Sequence, residues 1–558
     1  MRGVRATFVG LALAVCASAS VARGAQGQGQ ILRGVLRDSV SQLAISGAVV
    51  TLLDNSAAPV GRTISNERGQ FRFVLLTSAV RRIRVVRLGF RPAEVAVAAD
   101  RDLSGEIRIT LVAIPMALQP VAITANPRCA RRRDHTLALA LLEQARAGLL
   151  ATVVAPTDKP ARVKRLRATR TKIGESDRVV HQRVKTDSAG GVFGAFGAAR
   201  TAGDFVDRGF MEDSAGENVF YGPDAEVLLD DRFASGYCFR IMDRVRDRPN
   251  QVGLGFRAAD RKDGRIDVEG ALWIDTVARA LVDIEYRYIG VDSRMEPFDP
   301  GGRIFFRTMP NGVPLIDHWV IRLVGAEPPP ARRLFGIEVW GELARASWPD
   351  STHWQGTLGS LRATLVNHDG TPAPGAVIRL DDTDYIAVAD SAGVAEIVDL
   401  VPGPYRLSFV DPDLAELNVE VASPQEFTAV RGTPVVRRLT VRTAESYVSE
   451  RCHSNAKTSA DSAASRDGSA WLIGRITDAR GEPIEAAIWT LSYHDSMGDR
   501  RLFERVAVGS DGIFQFCRLQ HGATVVVHVQ AKGMQDAKVT ATLTRQPTIV
   551  TVEMKPRD

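Results

Sequence analysis

Four cysteines, nine histidines, one close group of carboxylates and three loop aromatics are the residues of this chain whose types could do chemistry. The cysteines are Cys129, Cys238, Cys452 and Cys517; a fifth, Cys16, sits in the N-terminal stretch "MRGVRATFVGLALAVCASASVARGAQGQGQ". That stretch has the basic start, short apolar run and small-residue cleavage options, ending at Ala19 or Ala25, of a secretory signal peptide over 1–25. Val15 stands where a lipidation signal needs a small residue, so Cys16 reads as part of a removed leader. An even number of cysteines in an exported chain favours disulfides over metal sites or catalytic thiols. No pair has C-x-x-C spacing. Four cysteines allow three pairings, and the residues alone do not choose among them.

The histidines do not assemble a motif. None begins an H-x-x-E or H-E-x-x-H, and no G-x-S-x-G is present. His521 and His528 are an odd number of residues apart, which on one strand puts them on opposite faces. Asp224, Glu226, Asp230 and Asp231 form an oxygen-rich loop without the rhythm of a calcium loop, and Arg232 and Arg240 stand by to neutralise it. Neither a catalytic centre nor a cofactor nor a metal is expected. Trp348, Trp354 and Tyr385 lie in or near loops and are the candidates for stacking on a sugar ring; Trp is usually substantially buried, which argues for domain junctions instead. The formal charge of +6 over 558 residues comes from arginines scattered among nearly as many acids, and no dense basic stripe with interleaved aromatics appears, so nucleic-acid binding is not expected. The "RCARRRD" run at 128–134 reads as a solvated helix entry.

The elements that must position these groups are written three times. The first copy reads "ILRGVLRDSVSQLAISGAVVTLLD" and then "NERGQFRFVLL"; the second "LRATLVNHDGTPAPGAVIRLDD" and "DSAGVAEIVDLVPGPYRLSFV"; the third "WLIGRITDARGEPIEAAIWTLSY" and "GSDGIFQFCRL". Alternation in "QFRF" and "IFQF" marks half-buried strands, and the Gly/Pro-rich pieces between them mark turns. Short strands with turns about every ten residues predict a β-sandwich. The pattern G-x-V-x-D, G-A-x-V-x-L, G-x-F-x-F resembles the carboxypeptidase regulatory-like domain, a seven-stranded transthyretin-like sandwich. The second copy departs from it, with Ala363 at the first Gly position and "GVAEI" for the aromatic strand. Such domains are accessory modules, so the resemblance implies recognition of polysaccharide or of an envelope protein and no peptidase chemistry.

Between 126 and 350 the text changes. "DHTLALALLEQARAGLLATVV" predicts one long helix, with Leu137, Leu141, Ala145 and Leu149 recurring every four residues and Asp134 or Thr136 as its cap. Strand-like runs follow, with "DTVARA" and "PNG" as turns. The phrase "EGALWIDTVARALVDIEYRY" resembles the strand-turn-strand unit of periplasmic lipoprotein-carrier-like proteins, which implies a curved sheet around a helix. In that family the concave face holds acyl chains; here Leu272, Ile274, Ile284, Tyr286 and Tyr288 would line it or simply be core.

The expected fold is therefore mainly β. Three transthyretin-like antiparallel β-sandwich domains occupy 30–125, 357–446 and 471–556; a middle α+β domain at 126–350 has a curved antiparallel sheet and one long helix; and a Ser/Ala-rich linker fills 447–470. On that division Cys129 pairs with Cys238 and Cys452 with Cys517. The expected protein is exported to the periplasm, outer membrane or exterior, has no transmembrane segment once mature, and leaves peripheral membrane association open. Its expected role is non-catalytic binding, with a hydrophobic carrier and a structural spacer as the alternatives.

Overall fold

The computed structural model describes residues 30–557 apart from 76–79, 81, 98–104, 115–128, 130–131, 174–178, 188–201, 215–216, 243–244, 261–263, 328–330, 332, 416, 418–423, 455–469, 496–497, 503–505 and 546. The expected leader, 1–25, lies outside the described residues.

The three copies share one topology. In the first, strands Gln70–Leu75, Gln30–Asp38 and Ile107–Leu111 form one sheet, and Pro59–Ile64, Val49–Leu53, Arg82–Val86 and Ala93–Ala96 the other. The second repeats this order with Val394–Leu400, Gly359–Val366 and Pro434–Thr440 facing a four-stranded sheet. The third does so with Ile513–Leu519, Ala470–Asp478 and Thr548–Met554. Pairing is antiparallel except that the first and last strands of every copy run parallel. The last strand arrives from the opposite sheet, so no hairpin dictates its direction.

The repeated glycines have one cause. A Cβ on Gly34 would lie 2.3 Å from the Phe71 ring, and one on Gly474 2.2 Å from the Phe514 ring. These pairs are cross-strand partners, and each ring lies over its glycine. The second copy changes both members, to Ala363 opposite Ala395, so its departure from the motif is a matched pair of substitutions. The turn glycines Gly69, Gly393 and Gly512 all have φ near +70° and each carbonyl accepts from the first strand, at Leu36, Leu365 and Ile476. Gly474→Ala should cost about 1–3 kcal/mol by overpacking. Combined with Phe514→Ala it should be clearly less than additive in urea unfolding. Full additivity would show that the ring does not press on this position.

The middle domain is built on one large antiparallel sheet, with a separate two-stranded pair, Met211–Ser214 and Glu217–Phe220, beside it in the chain. The order of the large sheet is Tyr237–Ile241, Gln251–Ala258, Asp267–Asp275, Ala280–Ile289, Gly301–Thr308, Pro314–Ala326, Leu334–Ser347, Arg162–Ile173 and Val179–Asp187, with His353–Gln355 also on Leu334–Ser347. The long helix, Arg132–Asp158, extends past the expected segment at both ends, so Asp134 and Thr136 lie inside its first turns rather than capping it. Its buried stripe is Ala138, Leu141, Leu142, Ala145 and Leu149, whereas Leu137 is 38% exposed. The reason is geometric: at 3.6 residues per turn, a spacing of four drifts about 40° each step. Leu272, Ile274, Ile284, Tyr286 and Tyr288 are buried in the same cluster as that stripe, with Phe205 and Phe233 from short helices and Phe210 just after the first of them. The helix is long and apolar enough to cross a membrane by composition. Here its apolar side closes the sheet.

The modules meet through built junctions. Asp158, at the helix end, accepts from Thr63 Oγ1 and the Ile64 amide at 2.9 Å, and Gln144 accepts from the Gly89 amide at 2.8 Å. On the other side Lys164 pairs with Asp399 at 2.6 Å, Arg431 with Glu342 at 2.5 Å, and Arg170 donates to the Pro402 carbonyl at 2.7 Å. The first part of the expected linker 447–470 is instead a helix, Ala444–Ser454, and 455–469 lies outside the described residues. Tyr447 and Val448 bury there with Leu414, Leu417 and Ile473, between the second and third sandwiches.

Candidate functional site

Both expected disulfides are present, Cys129–Cys238 and Cys452–Cys517. The second explains why one copy alone carries a thiol. Along Ile513–Leu519 the side chains of Phe514 and Phe516 enter the core, so Cys517 points outward. Cys452 meets it from the helix, which covers this outer face with Ile473, Ile513 and Ile549 beneath. In the second copy Arg362, Val394, Glu396, Val398 and Val436 hold the corresponding outward positions.

The three loop aromatics do not form a platform. Trp348 is buried where the long helix, the first sandwich and the middle sheet meet. Trp354 is half-buried against the same cluster, with the Arg307 guanidinium 5.7 Å from its ring. Tyr385 is half-buried at the junction with the second sandwich, and its hydroxyl donates to the Asp399 carbonyl at 2.7 Å. Burial raises the phenol pKa of Tyr385, and the neighbouring Tyr405 adds to the shift. Large apolar rings stabilise a junction more than they do facing water, and this decides their placement.

The acidic loop is structural. Asp224 accepts from the Val227 amide at 2.9 Å and Asp230 from the Arg232 amide at 2.7 Å, each capping a short helix. Asp231 pairs with Arg146 at 2.7 Å. Among the described residues no group of three or more His, Cys, Asp or Glu is arranged to hold a metal.

The sequence reading missed a row of charged and aromatic groups on the sheet face opposite the helix. Asp283, fully buried, accepts from both Arg248 (2.9 Å) and Arg303 (3.0 Å). Arg248 lies over Trp273 and Arg303 over Phe305, and Phe305 stacks on His318 at 4.0 Å. His318 Nδ1 is 2.9 Å from the Asp317 carboxylate. Burial would push the Asp317 carboxyl up, but hydrogen bonds from His318 and Arg307 outweigh it and hold the group at about 2. Glu342, also buried, accepts from Trp340 Nε1 and Arg431, while burial raises its pKa. The signal for this row was available as a period of two in "RIFF", "DHWVIR" and "EVWGE". The carboxylates and guanidiniums of the row answer one another, which suits cohesion of the sheet better than turnover of a substrate.

Among the described residues, every exposed large hydrophobic side chain is Val, Leu or Ile, and none is aromatic. On the second sandwich Val398 (52% exposed) and Val436 (64%) share the outer face of the three-stranded sheet with exposed Arg362, Glu396 and Arg438.

Residues 31–112 match the carboxypeptidase regulatory-like domain family, so the first copy is such a domain. No curated protein matches the sequence of the chain. Among solved structures it is similar to the Bacillus anthracis TIE protein (8% identity, TM-score 0.15), over 61% of this chain and 63% of that one. It is also similar to a streptococcal ancillary pilin (13% identity, TM-score 0.15), over 42% of this chain and 81% of that one. A third is the shaft pilin spaA from Lactobacillus rhamnosus GG (9% identity, TM-score 0.15), over 37% of this chain and 99% of that one. At these TM-scores the likenesses add nothing to the fold described above.

Proposed function

We propose that this chain is an exported, non-catalytic cell-envelope protein whose sandwiches bind a protein partner, with the outer three-stranded face of the second sandwich as the recognition surface. The observation that carries this reading is the contrast between copies. The third copy's outer face is apolar and covered by the helix Ala444–Ser454, whereas the second copy's is open and mixes Val398 and Val436 with Arg362, Glu396 and Arg438. Isolated aliphatic side chains ringed by charges of both signs suit a partner with its own side chains. A sugar ring is better held by an exposed aromatic face, and the described surface offers none. Polysaccharide is therefore the weaker of the two expected partners. Two disulfides favour an oxidising compartment. The carrier alternative loses support because the helix occupies the concave face that an acyl chain would need. The spacer alternative is compatible with the junctions and adds no recognition.

Chemical cross-linking of the mature chain in envelope preparations should yield a defined protein adduct that Val398→Asp/Val436→Asp abolishes. An adduct indifferent to that pair would overturn the choice of face. Electrophoretic retardation by a polysaccharide gel, with no protein adduct, would overturn the choice of partner.

A further inference from the structure

Among the described residues the three most exposed large hydrophobic side chains are Val40 (87%), Val277 (75%) and Leu43 (69%). They come from two turns of different modules. One, 39–43, follows the first strand of the first sandwich; the other, 276–279, joins Asp267–Asp275 to Ala280–Ile289 in the middle sheet. The two turns adjoin, with Arg279 Nη1 3.9 Å from the Asp38 carboxylate. Arg87 ties them together, its Nε donating to the Ser46 carbonyl at 2.8 Å and its Nη1 to the Arg279 carbonyl at 2.7 Å. Val112, 48% exposed, stands beside the first turn, since the Ser39 amide donates to the Leu111 carbonyl at 2.8 Å. Aliphatic side chains scattered singly over a surface need no explanation, but the most exposed ones converging on one corner do.

We propose that this corner docks on a phospholipid bilayer, with Val40, Leu43, Val112 and Val277 entering the boundary between headgroups and acyl chains. Two observations favour a lipid surface over a protein. The first is the backbone, because a segment that enters lipid must satisfy its own polar groups. The Val40 and Ser41 amides donate to the Asp38 carboxylate at 2.8 and 3.0 Å, and the Gln42 amide donates to the Asp38 carbonyl at 3.0 Å. In the other turn the Val277 and Ala278 amides donate to the Asp275 carboxylate at 2.8 and 2.7 Å. Both tips thus present apolar side chains on amides that are already bonded. The second is charge. Arg37, which donates to the Gln42 carbonyl, Arg279, and Arg91, whose amide donates to the Val112 carbonyl, flank the tips, while the turns' own acids hold their carboxylates against those amides. Aliphatic side chains flanked by arginines suit an interface whose phosphates are anionic, and each arginine near such a surface strengthens binding about fivefold. The corner belongs to the first sandwich and the middle sheet, so docking leaves the open face of the second sandwich to its partner.

The test is flotation of the mature chain with vesicles of phosphatidylethanolamine and phosphatidylglycerol, and separately with vesicles of phosphatidylcholine alone. The chain should float with both and bind the phosphatidylglycerol vesicles more tightly. Val40→Asp/Leu43→Asp and Val277→Asp should each weaken vesicle affinity at least tenfold, because each sets a charge where an apolar group must enter. These positions are exposed, so both variants should keep the wild-type thermal midpoint. Ile386→Asp, a comparably exposed position on the second sandwich (64%), should float as the wild type does. Absence of flotation with either vesicle overturns the proposal, as does wild-type flotation of either turn variant. Equal affinity for the two vesicles overturns the role given to the arginines.

Discussion

Replacing Cys452 and Cys517 together by serine is expected to destabilise the third sandwich by about 4 kcal/mol. The bond closes a loop of sequence separation 65, and the chain-entropy relation gives that order of magnitude for such a length. Two features make the native bond effective rather than decorative. The cysteines join a helix to the outer face of a sheet that would otherwise be open, and Ile473, Ile513 and Ile549 depend on that helix for burial. Arg475 Nη1 also donates to the Leu417 carbonyl at 2.8 Å, so the same contact carries a buried cation. Loss of the bond therefore loosens the cover over both. Urea unfolding followed by Trp471 fluorescence, at the covered face, measures it. A change below 1 kcal/mol would show that packing of Tyr447 and Val448 holds the helix without the covalent link.

The architecture was largely legible because its signals are local. Period-two alternation in "QFRF" and "IFQF", the glycines at 69, 393 and 512, and the turn residues between strands each act within a few residues. The disulfide pairing was legible for a related reason: cysteines that share a module have few partners to choose from. The second copy looked degenerate only while its two substitutions were read separately. Ala363 and Ala395 are 32 positions apart in the chain and opposite one another in the sheet.

Long-range pairing was the part the residues hid. The helix stripe was misplaced at Leu137 because a four-residue spacing approximates the helical period over one turn and fails over three. Trp348, Trp354 and Tyr385 drew attention as loop aromatics, yet the loops that carry them are junctions. Arg87 gave no sign in the sequence, since nothing in "RRIRVVRLGF" says which arginine the neighbouring module will cover. The middle sheet's charged row shows within single strands as a period of two, but its partners across strands do not. Arg248, Asp283 and Arg303 come from three separate segments, and only the sheet brings them together.

That row supplies the other large effect: Asp283→Ala is expected to cost about 3–5 kcal/mol, the range for removing one partner of a buried ion pair. Asp283 has no exposure and receives four hydrogen bonds, two from each arginine, at 2.9–3.3 Å. Arg248 is the member that suffers most. Its side chain is 12% exposed, pinned over Trp273, and its remaining acid, Glu285, is 3.6 Å away and half in water. Arg303 is 38% exposed and can turn outward, so the arginines should separate in the cycle. In the Asp283→Ala background, Arg248→Met should restore part of the stability, whereas Arg303→Met should change little. Equal rescue by both, or an Asp283→Ala cost below 1 kcal/mol, would show that water reaches the row and that the sheet's cohesion comes from its other face. The distinction bears on function, because the open face of the second sandwich lies on a module fixed to this sheet through Glu342 and Arg431. A sheet that holds its shape fixes where that face points.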